Sequence, residues 1–212
     1  MNLHRAFGNE WDKIPPNERN NQQKLAAATL GVATIANAIS IGGGYLSFKG
    51  LDQIDKGYYN RGFVLLSLGL TSDFFDGSIA HATGTKSQLG EAIDAGKDKL
   101  VVRKALPILV RHAIMPKDTA SAFEKQGIAN AAIAVTAKVK GVELHPSLTG
   151  KLTSMTQAMT IGGYCASFVL RESEQEDRAD KFLAIAQAAE HVALKVGPIA
   201  TLGYAKQLGR SS

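Results

Sequence analysis

The amino-acid sequence predicts an all-α protein: a six-helix transmembrane bundle preceded by an N-terminal amphipathic helix at the membrane interface. Three observations carry that reading. Six long stretches dominated by apolar and small residues are separated by connectors containing Gly, Pro or charges. The first of them, Leu25 to Phe48, has no charged residue and is long enough to cross a bilayer with some tilt. A formal net charge of +5 and a pI near 9.3 suit an anionic membrane surface or a phosphate-bearing substrate. Composition alone pulls the other way, since 45% hydrophobic residues, 20% charged residues and a mean hydropathy of −0.04 fit a soluble helical domain. The proposed spans are rich in Ala, Gly, Thr and Ser, which lowers the average without adding charge.

Taken in order, residues 1–24 are the interfacial helix and its connector. Leu3, Phe7, Trp11 and Ile14 recur at i, i+4, i+8 and i+11, with Arg5, Asn9, Glu10 and Lys13 off that stripe. The expectation is a helix with Trp11 on the wet–dry boundary or, equally, one packed on the protein's own surface. Pro15-Pro16 ends it. Residues 25–212 form the membrane domain. Its first span carries Gly42-Gly43-Gly44, which lets another helix approach closely. Lys49 to Arg61 is a polar loop, and Gly62 to Ala82 is the second span. Ser87 to Met115 is the third, interrupted by Pro107 and crowded with Lys97, Lys99, Arg103 and Lys104. Charges inside a span are costly and normally face a polar cavity or a partner. After the Pro116–Asp118 turn, Ala120 to Val139 is the fourth span, and Ser147 to Leu170 the fifth. Arg171 to Lys181 reads as a charged loop, and Phe182 to Leu208 as the sixth span, broken near Gly197-Pro198. This order puts the N-terminus and the loops at 82–87 and 140–150 on the cytoplasmic side.

The chemistry concentrates between Ser72 and Leu100. Asp73 and Asp76 lie at i and i+3, sharing one helix face; Asp94 and Asp98 lie at i and i+4 on the next helix, with Glu91 one turn earlier. A turn at Ala82 to Thr85 would fold the two helices antiparallel and aim four carboxylates at one another. Carboxylates that converge do not all stay ionised without a cation. Oxygen ligands from facing helices suit Mg²⁺ or Mn²⁺, and a pair of such ions is the usual clamp for displacement at phosphorus. A solvated acidic face is the bland alternative, but Phe63 to Leu70 leads in and Val101-Val102 with Ala105 to Val110 leads out, both apolar.

The spacing resembles D-x-x-D-G-x-x-A-R-x8-G-x3-D-x3-D, the signature of the CDP-alcohol phosphatidyltransferases, at Asp73, Asp76, Gly77, Ala80, Gly90, Asp94 and Asp98. The sequence departs from it at His81, where that family has Arg. Two further stretches are similar to the family pattern. Asn37-x2-Ser40-x2-Gly43 is similar to its first-span motif. Gly150, Lys151, Ser154 and Gln157 resemble G-K-x-K-T-x-x-Q of the phosphatidylglycerophosphate synthase branch, with Thr153 in place of the second Lys. The resemblance implies a multi-pass enzyme of the cell membrane with its active site on the cytoplasmic side. It implies transfer of a phosphatidyl group from CDP-diacylglycerol to an alcohol, here glycerol 3-phosphate, with release of CMP. It assigns Asp73, Asp76, Asp94 and Asp98 to two divalent ions, Mg²⁺ or Mn²⁺, and Asp98 to the acceptor's proton. Asp73, Gly77, Ala80, His81 and Gly90 would surround the nucleotide. Lys99, Arg103 and Lys151, with Lys104 nearby, are the candidates for an acceptor phosphate, or they reach out to lipid phosphates. A homodimer is the expected assembly, in a lipid bilayer.

Other classes find less support. No basic run interleaved with aromatics argues for nucleic acid. Cys165 is the single cysteine, which excludes an intrachain disulfide and a cysteine metal site. No Walker loop, His-Glu-x-x-His or Ser-His-Asp arrangement stands out. His4, His112, His145 and His191 are scattered. The rival readings are another acceptor within the family, such as an inositol phosphate or phosphatidylglycerol, a membrane transporter using the same carboxylates, or a soluble helical binding domain.

Overall fold

The computed structural model describes residues 9–210 apart from 30, 32, 143 and 146, and gives no account of the side chains of 73, 74, 88, 89, 91–95 and 210. The described residues contain seven α-helices and no strand, and they pack as two compact units, 1–105 and 106–212. The all-α expectation holds.

In the first unit a 3-10 turn, Glu10–Lys13, is followed by α1 (Asn21–Ala28), α2 (Ile35–Asp55), α3 (Tyr59–Thr83) and the start of α4 (Gln88–Arg111). The first eight residues of the expected interfacial helix lie outside the described part. From Asn9 onward the chain makes only the 3-10 turn before Asn20, and Trp11 is fully buried rather than placed at a boundary. Asn20 and Gln23 form a reciprocal capping box that starts α1. The expected first span is two helices. Gly31, at φ +84, closes α1 by donating its N–H to the Ala26 carbonyl at 2.7 Å, and Thr34 Oγ1 restarts the chain by accepting from Asn37 N at 3.1 Å. α2 then runs past Phe48 to Asp55, so the loop expected over 49–61 shrinks to Lys56–Tyr58.

α2 and α3 are joined backbone to backbone. A Cβ on Gly50 would stand 2.6 Å from the Gly62 carbonyl oxygen and the Leu66 nitrogen. One on Gly69 would stand 2.5 Å from the Gly43 oxygen and 2.7 Å from Ser47 N, and one on Gly43 would meet Ser72. Glycine at 43, 50, 62 and 69, two heptad-spaced pairs, is what allows this approach.

The second unit holds α5 (Lys117–Val139), α6 (Leu148–Glu172) and α7 (Glu176–Arg210). The charged loop expected over 171–181 is mostly helical, reduced to a turn at 173–175 with Glu174 at φ +58, and α7 passes through Pro198 without a break. The α6–α7 seam is small on small: a Cβ on Gly163 would stand 2.8 Å from that of Ala186, and Thr153, Thr156, Thr160, Ala186, Ala189, Ala193 and Ala200 are buried. Polar ties join α5, α6 and α7. Tyr164 Oη donates to Glu190 Oε2 at 2.5 Å, and Thr119 Oγ1 of α5 donates to the other Glu190 oxygen. Gln157 Nε2 donates to Gln126 Oε1 at 2.9 Å, and Thr201 Oγ1 donates to Asn130 Oδ1 at 2.9 Å.

Many large apolar side chains point outward, although Trp11, Leu51, Ile54, Phe63, Leu66 and Leu109 are buried, and several buried seam positions are small or polar. Ile41, Tyr45, Val64, Leu68, Ile128, Val135, Met155 and Leu202 are exposed; Asn37, Ser40, Ser47, Thr156, Thr160 and Ser167 are buried. Among the described residues one helix, Tyr59–Thr83, is long and apolar enough to cross a membrane on hydropathy alone. The other helices expected to span carry more charge or more Thr, Ser and Gly: α4 alone holds Lys97, Asp98, Lys99, Arg103 and Lys104.

Neighbouring glycines separate packing from propensity. Gly42 has open space around its missing side chain, whereas a Cβ on Gly43 would come within 2.9 Å of the Gly69 oxygen. Gly42→Ala is expected to stabilise the protein by about 0.5–1 kcal/mol. Gly43→Ala should destabilise it by about 1–3 kcal/mol. Thermal midpoints of the two variants in one detergent check both signs.

Candidate functional site

A small pocket of the first unit gathers several of the predicted positions, with one of the four carboxylates, Asp76, in its lining. Its volume is about 90 Å³, and it is lined by Ala36, Asn37 and Ser40 of α2, Asp76, Gly77 and Ala80 of α3, the loop residues Thr85, Lys86 and Ser87, and Gly90 of α4. The helix ends that shape it follow from local chemistry. α3 stops at Gly84, whose φ of +62 is the left-handed cap that glycine supplies without strain. The loop then turns at once into α4, because Ser87 Oγ accepts from Gly90 N at 2.9 Å and serves as an N-terminal cap. A Cβ on Gly90 would lie 3.0 Å from Asn37 Oδ1 and 3.1 Å from Ser87 Oγ, so a side chain there would press into the pocket wall. Nothing stands within 4 Å of the place a Cβ on Gly77 would take.

Four of the seven signature positions, Asp76, Gly77, Ala80 and Gly90, therefore share one cleft. Asp76 is buried, 6% exposed. Asp73 and Asp94 lie on α3 and α4 as expected, but their side chains are outside the described part. Asp98 is half exposed, with the Lys97 ammonium 4.0 Å from its Oδ1. Among the described residues no three His, Cys, Asp or Glu side chains come together as a metal cage. The donors that do line the pocket are hard: the Asp76 carboxylate, the Asn37 amide, and the hydroxyls of Ser40, Thr85 and Ser87. That chemistry fits Mg²⁺ or Mn²⁺ and would not suit a softer metal.

The expected cations divide. Lys99 and Arg103 are exposed on α4, and Lys151 is exposed on the first turn of α6 in the second unit. Lys104 is otherwise engaged: its ammonium is 2.6 Å from Asp52 Oδ1 and 5.2 Å from the centre of the Phe48 ring. His81 is exposed on α3 and does not line the pocket. Of the α6 residues that match the branch motif, Gly150 receives the Tyr204 ring, Ser154 bonds back to the Gly150 carbonyl at 3.2 Å, and Gln157 ties to Gln126. Lys151 and Ser154 are the exposed ones among them.

Sequence reasoning missed two cations. Lys86 lines the pocket, and Lys97 donates from Nζ to Ser40 Oγ at 3.0 Å while its stem packs on Gly44. Lys97 directly precedes Asp98, and Ser40 belongs to the Asn37-x2-Ser40-x2-Gly43 stretch; reading the two together would have suggested their contact.

The family model described as CDP-alcohol phosphatidyltransferase matches residues 27–196, well over half of the chain. No curated protein and no solved structure matches it.

The Ser87 cap has a measurable weight. Ser87→Ala removes the acceptor for Gly90 N and is expected to cost about 1 kcal/mol. Ser87→Asn, which keeps a capping oxygen, should recover most of it. A chemical-denaturation midpoint unchanged by the alanine variant would show that the cap carries no stability.

Proposed function

The chain belongs to the CDP-alcohol phosphatidyltransferase family, and on that premise we propose that it moves a phosphatidyl group from CDP-diacylglycerol to glycerol 3-phosphate, releasing CMP. The family is one of transferases for substituted phosphate groups in phospholipid biosynthesis, it takes a CDP-alcohol and an alcohol acceptor, and it is generally dependent on divalent metal. The observation that carries the finer reading is the pocket whose lining brings Asp76, Gly77, Ala80 and Gly90 together with one basic residue, Lys86. Small residues at 77, 80 and 90 leave room for the donor's nucleotide, and the cation favours its phosphates.

Asp73, Asp76, Asp94 and Asp98 would hold the metal, Mg²⁺ or Mn²⁺. When bound, such ions neutralise the diphosphate and stabilise the charge that develops on departing CMP. Asp98, half exposed at the start of the cationic run of α4, takes the proton of the acceptor hydroxyl. The acceptor oxygen then bonds to the phosphatidyl phosphorus as the bond from that phosphorus to the CMP oxygen breaks. Lys97 lies beside Asp98, its ammonium 4.0 Å from the Asp98 Oδ1.

Lys99 and Arg103, exposed on α4 next to Asp98, support a phosphorylated acceptor, because charge-assisted hydrogen bonds would bind its phosphate, and Lys151 is the third candidate for that role. The reading we adopt is therefore the phosphatidylglycerophosphate synthase branch. The outward Leu, Ile, Val and Tyr side chains over small, polar seams support six spans within 25–212, in the cell membrane, with the signature loop at the cytoplasmic face. His81, outside the pocket lining, would act on the nucleotide only at its rim. A homodimer is the assembly we assign.

Two measurements decide the reading. Asp73→Asn and Asp94→Asn are expected to abolish CMP release while leaving helix content intact, and excess EDTA should silence the unmodified enzyme; full turnover in EDTA refutes the metal assignment. For the acceptor, Arg103→Ala and Lys151→Ala should each lower kcat/KM for glycerol 3-phosphate by about ten- to a hundredfold, with little effect on the donor. Equal use of free glycerol, inositol or serine would remove the acceptor assignment and leave phosphatidyl transfer standing.

A further inference from the structure

Residues 9–26 precede the family match at 27–196, yet they pack directly behind the pocket. Trp11 is fully buried. The place a Cβ would occupy on Gly31 lies 2.9 Å from the far edge of the Trp11 ring and 2.9 Å from Ser87 Oγ, so the indole, Gly31 and Ser87 are stacked in contact. Gly31 is also the acceptor for a second wall residue: Asn37 Nδ2 donates to its carbonyl at 2.7 Å. The next residue of the 84–87 loop is held from the same side, because Glu10 N donates to the Lys86 carbonyl at 3.3 Å. Gln23 Nε2 and Asn20 Nδ2 both donate to the Thr83 carbonyl, at 3.3 and 3.4 Å, where α3 ends. Every one of these contacts ends on a residue that lines the pocket or on one adjoining such a residue.

We infer that the N-terminal segment is a positioning element for the donor site, in which Trp11 sets Gly31, Asn37 and Ser87, and Glu10 holds the loop that presents Lys86 to the donor's diphosphate. The inference rests on the reading of the pocket as the CDP-diacylglycerol site. Its physical basis is that the loop is tied to α3 at its start, where Gly84 N and Thr85 N donate to the His81 and Ala80 carbonyls, while the Lys86 carbonyl is held from outside the loop by Glu10 N. Lys86 is the cation among the pocket's lining residues. The indole N–H of Trp11 is buried and has no hydrogen-bond partner among the described residues, so the ring acts there through its shape.

The test uses the full chain in detergent micelles, with steady-state kinetics in CDP-diacylglycerol and in glycerol 3-phosphate, and helix content and thermal midpoint recorded for each variant. Lys86→Gln should raise the donor KM about tenfold, the loss of one charge-assisted contact, with acceptor KM unchanged. Trp11→Ala should raise donor KM by a similar factor, and Trp11→Phe, which keeps a ring in the slot and removes the orphaned N–H, should restore it. Glu10→Pro deletes the N–H that holds Lys86 at a position where the preceding Asn9 is already extended, so it supplies the same readout if Trp11→Ala does not fold. A wild-type donor KM in Lys86→Gln or Glu10→Pro overturns the inference. So does a Trp11→Ala enzyme whose acceptor KM, donor KM and kcat all change together. An unmodified enzyme that turns over no CDP-diacylglycerol overturns the donor reading itself, and this inference with it.

Discussion

The first unit depends on one contact, the approach of α2 to α3 through Gly43, Gly50, Gly62 and Gly69. Two helices that touch through backbone rather than side chains have little freedom to slide or rotate, since each glycine receives a carbonyl oxygen, an amide nitrogen or a serine of the other helix. That register places Asn37 and Ser40 opposite Asp76, Gly77 and Ala80, and so sets two walls of the pocket before any substrate is present. The third wall comes from α4, whose Lys97 stem lies on Gly44 and whose ammonium reaches Ser40. A run of three glycines in one helix thus serves two neighbours, Gly43 accepting α3 and Gly44 accepting α4.

Much of this architecture was legible in the sequence, for reasons that can be traced. Long helices follow from sustained runs without Pro or charge, and α3, α5 and α6 lie close to where those runs predict them. The errors came where one residue outweighs a run. Gly31 adopts a left-handed conformation and divides a charge-free stretch that hydropathy reads as one span; a glycine in an apolar window does not announce its φ. The charged segment at 176–181 looks like a loop by composition, yet Glu176 and Asp177 at its start favour a helix N-terminus, and α7 begins there. Pro198 does not end α7, because proline in a helix deletes one hydrogen bond and the rest of the turn carries on.

The site was legible by spacing and opaque by depth. The i, i+3 and i, i+4 carboxylates read correctly as helical neighbours, but burial of Asp76 beside exposure of Asp98 depends on which neighbour covers each, which spacing does not state. Lys104 looked equivalent to Lys99 and Arg103 until Asp52, half the unit away in sequence, took its charge. Trp11 read as an interfacial anchor because Trp with a stripe of apolar residues usually is one. Its real slot is made by the missing side chain of Gly31, a long-range fit that no local pattern encodes.

The many large apolar side chains on the outside, over seams that hold small and hydroxylic residues, also bear on how this sequence can drift. In a water-soluble domain the bulky interior resists replacement and the surface varies freely. Here the bulky residues, such as Val64, Leu68, Ile128 and Val135, meet only a featureless apolar surrounding if the helices sit in lipid, so Leu, Ile, Val and Phe are nearly interchangeable at those positions. The narrow alphabet belongs to the seams: Gly at 50, 69 and 163, a hydroxyl at 119 and 164 to meet Glu190. Descendants of this chain would therefore be recognisable by their smallest residues long after their largest had been exchanged.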